Sequence, residues 1–203
     1  MIEGIEKKYP AIFLVRCGRT ELNSGEEGSQ EKIRGWKDVP LSNLGKEDSK
    51  RIANMFIDIP VYKIYSSDLS RARDTAKEVS RVIGSSFITL KGLRPWNLGD
   101  IQGTLSFTAS ELLKEYIRRY VYKSFRCGES FDDFKERAIN TFNTILDEFE
   151  KNRKNIVVIT HFRFIKMIQA WVSAGSVKYE IDVNVFMKDD VSPGSIMMIT
   201  LDR

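Results

Sequence analysis

The chain has 203 residues, 42% of them hydrophobic and 30% charged, a balance that excludes a disordered or fibrous polypeptide and can bury a full core. Its 32 basic and 28 acidic residues leave a net charge of +4, with both signs interleaved, so no nucleic-acid partner is expected. No apolar run approaches the roughly 20 residues of a bilayer span, and residues 1–10 lack the apolar stretch of a signal peptide, so a cytoplasmic protein with no membrane partner is expected.

The run Ala11-Ile12-Phe13-Leu14-Val15 predicts a strand buried on both faces. It enters Arg16-Cys17-Gly18-Arg19-Thr20, a tight glycine turn that aims one side chain outward at Cys17. Residues 24–32 are polar and contain glycine, which predicts a mobile surface loop. Helices are predicted over 43–57, 69–83 and 107–123, with weaker strands at 61–65 and 86–90. The helix over 130–151 has the clearest period, because Phe131, Phe134, Ala138, Phe142, Ile145 and Phe149 recur at spacings of three and four, and Ser130 with Asp133 resembles a capping box. Its aromatics read as core. A second buried strand at 156–159, a helix over 162–173 and a weak strand at 195–201 complete the series. This alternation predicts an α/β fold, and the length fits one domain over 1–203.

In a parallel sheet, ligands collect beyond the carboxyl ends of the strands. Arg16, Cys17 and Gly18 follow the first strand. Thr160, His161 and Phe162 follow the strand at 156–159 and open a helix, whose N-terminus favours an anion. Arg71 falls in the first turns of the helix after the strand at 61–65. Two guanidinium forks and an imidazole form a plausible phosphate pocket. Taken singly, each has a plain alternative: a solvated arginine, or a histidine that caps a helix.

Five motifs tie these residues together in order: Arg16, Gly18, Thr20 and Asn23; Gly35-Trp36-Lys37-Asp38-Val39-Pro40-Leu41-Ser42-Asn43-Leu44-Gly45; Ser66-Ser67-Asp68-Leu69-Ser70-Arg71-Ala72-Arg73-Asp74-Thr75-Ala76; Gly128-Glu129-Ser130; and Thr160-His161. On these the chain resembles the histidine phosphatase (phosphoglycerate mutase-like) superfamily over nearly its whole length. The resemblance implies three layers, with a central mostly parallel sheet flanked by helices. It also implies hydrolysis of a small phosphate monoester without a metal, with Arg16, Arg71 and His161 clamping the phosphoryl group and Asn23 and Thr20 beside it. Position 17 is then the nucleophile, which in the family is a histidine.

Three departures matter. Cys17 replaces the nucleophile, and the sole histidine is already His161. Cysteine attacks as its thiolate, an anion that neighbouring arginines attract, but its side chain is shorter than imidazole, and small misplacements are expensive in rate. Pro95 stands where the family places its proton-donating glutamate, so Asp100, with Glu129 behind it, is the substitute acid, against the reading of each as a solvated loop carboxylate. Phe162 replaces a glycine and either narrows the pocket mouth or packs on its helix. Function is therefore expected to be an impaired phosphatase; the alternatives are a phosphate-binding pseudophosphatase, an enzyme silenced by a histidine-to-cysteine change, or a phosphoglycerate mutase-like phosphotransferase.

A cysteine phosphatase of the Cys-x5-Arg type is excluded, because the sixth residue after Cys17 is Asn23. With two cysteines and one histidine, neither a disulfide framework nor a structural zinc site is available, and no cofactor is expected. Cys127 reads as a half-buried bystander, with a redox pair to Cys17 as the alternative. Leaving-group specificity is assigned to residues 24–34, Arg94-Pro95-Trp96 and the helix over 107–123; Trp36 and Trp96 are either substrate stackers or buried aromatics. The sequence carries no signal of substrate identity or oligomeric state.

Overall fold

A computed structural model describes residues 10–23, 30–188 and 190–200. Its centre is a five-stranded sheet of β1 (Ile12–Arg16), β2 (Lys63–Ser66), β3 (Phe87–Thr89), β4 (Ile156–Thr160) and β5 (Ile196–Ile199), in the order β3-β2-β4-β1-β5. The first four run parallel, and β5 lies antiparallel along β1. Between them come α1 (Asn43–Asn54), α2 (Ser70–Ile83), α3 (Ser106–Arg118), α4 (Phe131–Asn152), α5 (Phe162–Ser173) and α6 (Val183–Met187), with 3₁₀ turns at Lys91–Leu93 and Gly99–Ile101.

The two faces follow from the two-residue period of a strand. Phe13 and Val15 of β1, with Ile64, Val157 and Ile159, pack against Ile52, Ala53 and Phe56 near the end of α1 and Ala72, Ala76 and Val79 of α2. Ile12, Leu14, Ile156 and Val158 face the other way, onto the stripe of α4 and onto Phe164, Ile165 and Ile168 of α5. This is the three-layer α/β arrangement expected. The capping box at the start of α4 is present: Ser130 Oγ accepts from Asp133 N at 3.0 Å, and the Asp133 carboxylate accepts from Ser130 N at 3.4 Å.

Differences from expectation have local causes. The helix predicted over 107–123 stops at Arg118, where the N–H groups of Arg119 and Tyr120 both turn back to Glu115 O. The chain then bends so that Phe125 buries itself 4.1 Å from Tyr116, ring centroid to centroid, and beside Trp96. The short α6 was not predicted; Asp182 caps it by accepting from Asn184 N and Val185 N. The predicted loop 24–32 lies outside the described residues except for 30–32, and residue 201 of the predicted last strand lies outside them too. Among the described residues, no helix is long and apolar enough to cross a membrane.

Candidate active site

Parallel pairing sets the site. Arg16 of β1 lies opposite Thr160 of β4, so the next residues, Cys17 and His161, leave the carboxyl edge of the sheet side by side. Cys17 N donates to Thr160 O at 3.0 Å, and Cys17 Sγ sits 3.7 Å from His161 Nδ1. Gly18 is required at the following turn, because a Cβ there would stand 2.4 Å from Gly45 O. Its N–H donates to Thr75 Oγ1 of α2 at 3.2 Å, which ties the turn to the helix that carries Arg71.

Arg71 is 2% exposed. Its Nη1 donates to Lys37 O and its Nη2 to Gly35 O, each at 2.9 Å. The Gly35-Trp36-Lys37 segment is therefore a backbone cradle for this guanidinium. Gly35 has φ +48°, and a Cβ on it would lie 2.1 Å from Gln102 Oε1. Arg16 donates through Nη1 to Val191 O and lies with its guanidinium carbon 5.2 Å from the centre of the Phe162 ring. Phe162 thus packs on Arg16 while lining the cavity.

Arg16, Cys17, Thr20, Asn23, Arg71 and His161 all line one cavity of about 720 Å³. Asn23 Oδ1 accepts from Thr20 N at 2.9 Å and from its hydroxyl at 3.3 Å, which fixes the turn after Cys17. Burial above all, then the charges of Arg71, Arg34 and Arg16, hold His161 well below the usual histidine range, so its imidazole is neutral at pH 7. Its Nε2 is buried without a hydrogen-bond partner. Burial pushes the Arg71 guanidinium down to about 10, with Cys17 acting in the opposite direction; it remains charged at neutral pH.

Other sequence candidates lie elsewhere. Asp100 is exposed on the 3₁₀ turn and is absent from the cavity wall, because Gly99, at φ +53°, is the residue that turn packs against the main chain of Arg126 and Gly128. Glu129 is also off the wall: its carboxylate accepts from Arg137 Nη2 at 2.6 Å, Arg137 Nε at 3.0 Å and Asn97 N at 2.8 Å. Cys127 is exposed rather than half-buried, since it occupies a left-handed turn at φ 58°, whereas Cys17 is buried; both are free thiols. Trp36 is off the wall as well, its ring facing Lys91, Arg94 and Arg137. Trp96 lines the cavity but is fully buried, stacked at 6.1 Å on Phe134.

The segments given the role of leaving-group specificity do reach the cavity: residues 30–34, Pro95 and Trp96, and Phe107, Ser110, Leu113 and Ile117 of α3 form much of its wall. Sequence reasoning did not single out Glu31 and Arg34. Glu31 Oε1 accepts from Arg34 Nη2 at 2.9 Å and Asn23 Nδ2 at 3.4 Å, and lies 3.8 Å from Arg16 Nη2. The only signal was the position of Arg34 directly before Gly35. Among the described residues, no group of three or more His, Cys, Asp or Glu side chains could hold a metal ion.

The profile of the histidine phosphatase superfamily (branch 1) matches residues 12–184. The chain belongs to this superfamily. Phosphoglycerate mutase-like protein 4 of Arabidopsis thaliana is 31% identical over 194 residues, covering 88% of this chain and 79% of that protein. Among solved structures, Bacillus stearothermophilus YhfR superposes with a TM-score of 0.77 at 23% identity, covering 95% of this chain and 92% of that one. A phosphoglycerate mutase from Bacillus anthracis str. Sterne gives 0.76 at 22%, covering 95% and 88%. At such identities these two similarities speak for the fold alone.

Proposed function

We propose that this single domain binds a small phosphate monoester at the carboxyl edge of its sheet and that hydrolysis is impaired by Cys17. Arg16 and Arg71 offer guanidinium forks to the phosphoryl oxygens, His161 offers a ring nitrogen, and Asn23 and Thr20 flank them. One observation carries this reading: these groups, brought from three strand ends, line one cavity in front of the Cys17 thiol, and His161 Nε2 is buried there without a partner.

Turnover would begin with the Cys17 thiolate attacking phosphorus. The S–P bond forms, the ester P–O bond breaks, and the leaving alkoxide takes a proton; water then attacks the phosphocysteine and releases phosphate. Two features oppose it. The sulfur is carried on a shorter side chain than the family's imidazole, so it sits back from a phosphorus held for histidine. Neither carboxylate expected to serve the leaving group stands on the cavity wall: Pro95 occupies the place of the family's acid, Asp100 is exposed off the wall, and Glu129 is ion-paired.

The second reading, a phosphate-binding protein without turnover, is favoured by the same placement of Asp100 and Glu129 off the wall. Cys17→His separates the two. A rise in phosphomonoesterase rate of at least about 100-fold, the scale of one positioned catalytic group, is the expected result for a silenced enzyme. An unchanged rate with phosphate still bound would leave the binding role alone.

A further inference from the structure

Among the described residues, Lys166 is the only buried lysine, at 0% exposure. It lies in α5, the helix that begins directly after His161. Its Nζ donates to Asp190 Oδ1 at 2.6 Å, and the Asp190 side chain is 54% exposed. Such a pair is a poor source of stability, because the cost of taking the ammonium out of water offsets much of the attraction. An apolar side chain would fill the same space at least as well. The pair therefore specifies a position, and what it positions is the chain that follows Asp190.

That chain is the strap of Arg16. Val191 O accepts from Arg16 Nη1, Ser195 O accepts from Arg16 N at 3.0 Å, and Gly194 N donates to Arg16 O at 3.1 Å. The last two bonds hold the Arg16 backbone at the end of β1, whereas the Val191 carbonyl acts on the guanidinium itself. A turn fixes the far end of the strap, with Ser195 N donating to Ser192 O at 3.1 Å and Gly194 at φ +72°. Asp190 fixes the near end, directly before Val191. Contacts thus run from α5 through Lys166, Asp190 and Val191 to the Arg16 fork, and the same helix starts at His161.

We propose that Lys166, acting through Asp190, is a positioning residue for Arg16: it holds the Val191 carbonyl where the Arg16 fork meets the phosphoryl oxygens. This rests on the phosphate-cage reading above. Neither Lys166 nor Asp190 lines the cavity, so both act on a bound anion through Arg16.

Charge and position make opposite predictions for Asp190→Ala. Removal of a nearby carboxylate tightens anion binding if only the field matters, whereas a loosened strap weakens it. Calorimetric titration with inorganic phosphate is expected to show a loss of about fivefold or more, the scale of coupling within one hydrogen-bond network. Lys166→Met should lose a similar amount, and Asp190→Asn, which keeps the acceptor, should retain most of the affinity. In an Arg16→Gln background neither Asp190→Ala nor Lys166→Met should change phosphate affinity by more than about twofold, the margin for uncoupled sites, because the group being positioned is gone.

Asp190→Ala strands the buried Lys166 charge, so the double variant Lys166→Met with Asp190→Ala guards against misfolding. With both ionic groups removed, its stability in denaturant titration should be close to native, while phosphate should still bind weakly. Native affinity in this double variant, tighter binding by Asp190→Ala, or an equal loss in the Arg16→Gln background would overturn the positioning role while leaving the cage intact. If the native protein does not bind phosphate, or binds it equally well after Arg16→Gln, the cage reading fails at Arg16 and the positioning role with it.

Discussion

A guanidinium that is 2% exposed must replace its water, and Arg71 does so with the carbonyls of Gly35 and Lys37. Both are main-chain groups, so the cradle persists when the side chain is changed. Arg71→Gln is therefore expected to lower inorganic phosphate affinity by about 10- to 100-fold, the worth of hydrogen bonds to a charged group, as read by calorimetry. His161 gives a pH signature. Its folded-state pKa lies well below the ordinary value, so as pH falls through about 6.5 the unfolded chain takes up a proton that the folded site refuses. His161 should therefore make the protein without added phosphate lose stability from pH 7 toward pH 5, measured by denaturant titration, and His161→Gln should flatten that part of the profile. Added phosphate should reduce the loss, because an anion in the cage favours the charged imidazole. That Arg16, Cys17, Arg71 and His161 would share one cavity was legible because each lies at or shortly after the carboxyl end of an apolar strand. Asp100, expected at the site, lies off the cavity wall: its flanking glycines marked a turn without telling which way the turn faced. Glu31 and Arg34 were covered only as part of the segment 24–34 and not individually, because a polar loop has no period from which to read direction.

At the scale of elements, glycines decide how closely the motifs meet. Gly18 follows β1 and Gly45 lies in the first turn of α1; a Cβ on Gly45 would come within 1.9 Å of Arg19 O. The backbone of the Cys17 turn thus rests directly on α1, and Arg19 locks the contact with three hydrogen bonds to Asp48, from Nε at 2.8 Å, Nη2 at 3.0 Å and its main-chain N at 3.2 Å. Gly45→Ala is expected to destabilise the protein by about 1–3 kcal/mol through overpacking and to weaken phosphate binding, since the turn must shift to accommodate the methyl group; chemical denaturation and calorimetry check the two effects. The segment after β3 carries its own brace. Arg137 of α4 reaches the carbonyls of Gly92, Arg94 and Pro95 while paired with Glu129. Element types were readable wherever apolar periodicity was strong, as in α4, and in the two doubly buried strands. Boundaries were weaker where a tertiary contact overrides local preference: the pull of Phe125 into the Trp96 and Tyr116 cluster ends α3 before its predicted limit, and five-residue α6 is too short for periodicity to register.

At the scale of the molecule, the topology explains why one cavity collects chemistry from distant parts of the chain. With β4 between β2 and β1, the ends of three neighbouring parallel strands deliver Arg71, His161 and Cys17 to the same edge, and α3 with the segment 30–35 closes the opposite wall. The superfamily's fold is kept, and the residues proposed for the cage line one cavity; Cys17 and Pro95 stand where the family resemblance implies a histidine and an acid. Phosphate binding is therefore the role proposed for the cavity, with catalysis reduced to what a thiol can do. A crystal structure of the protein soaked with inorganic phosphate tests this most directly. The account predicts one anion whose oxygens lie within hydrogen-bond reach of the Arg16 and Arg71 guanidiniums and of the His161 ring, with Cys17 Sγ facing phosphorus. An anion bound away from these groups, or a cavity that stays empty at saturating phosphate, would contradict it.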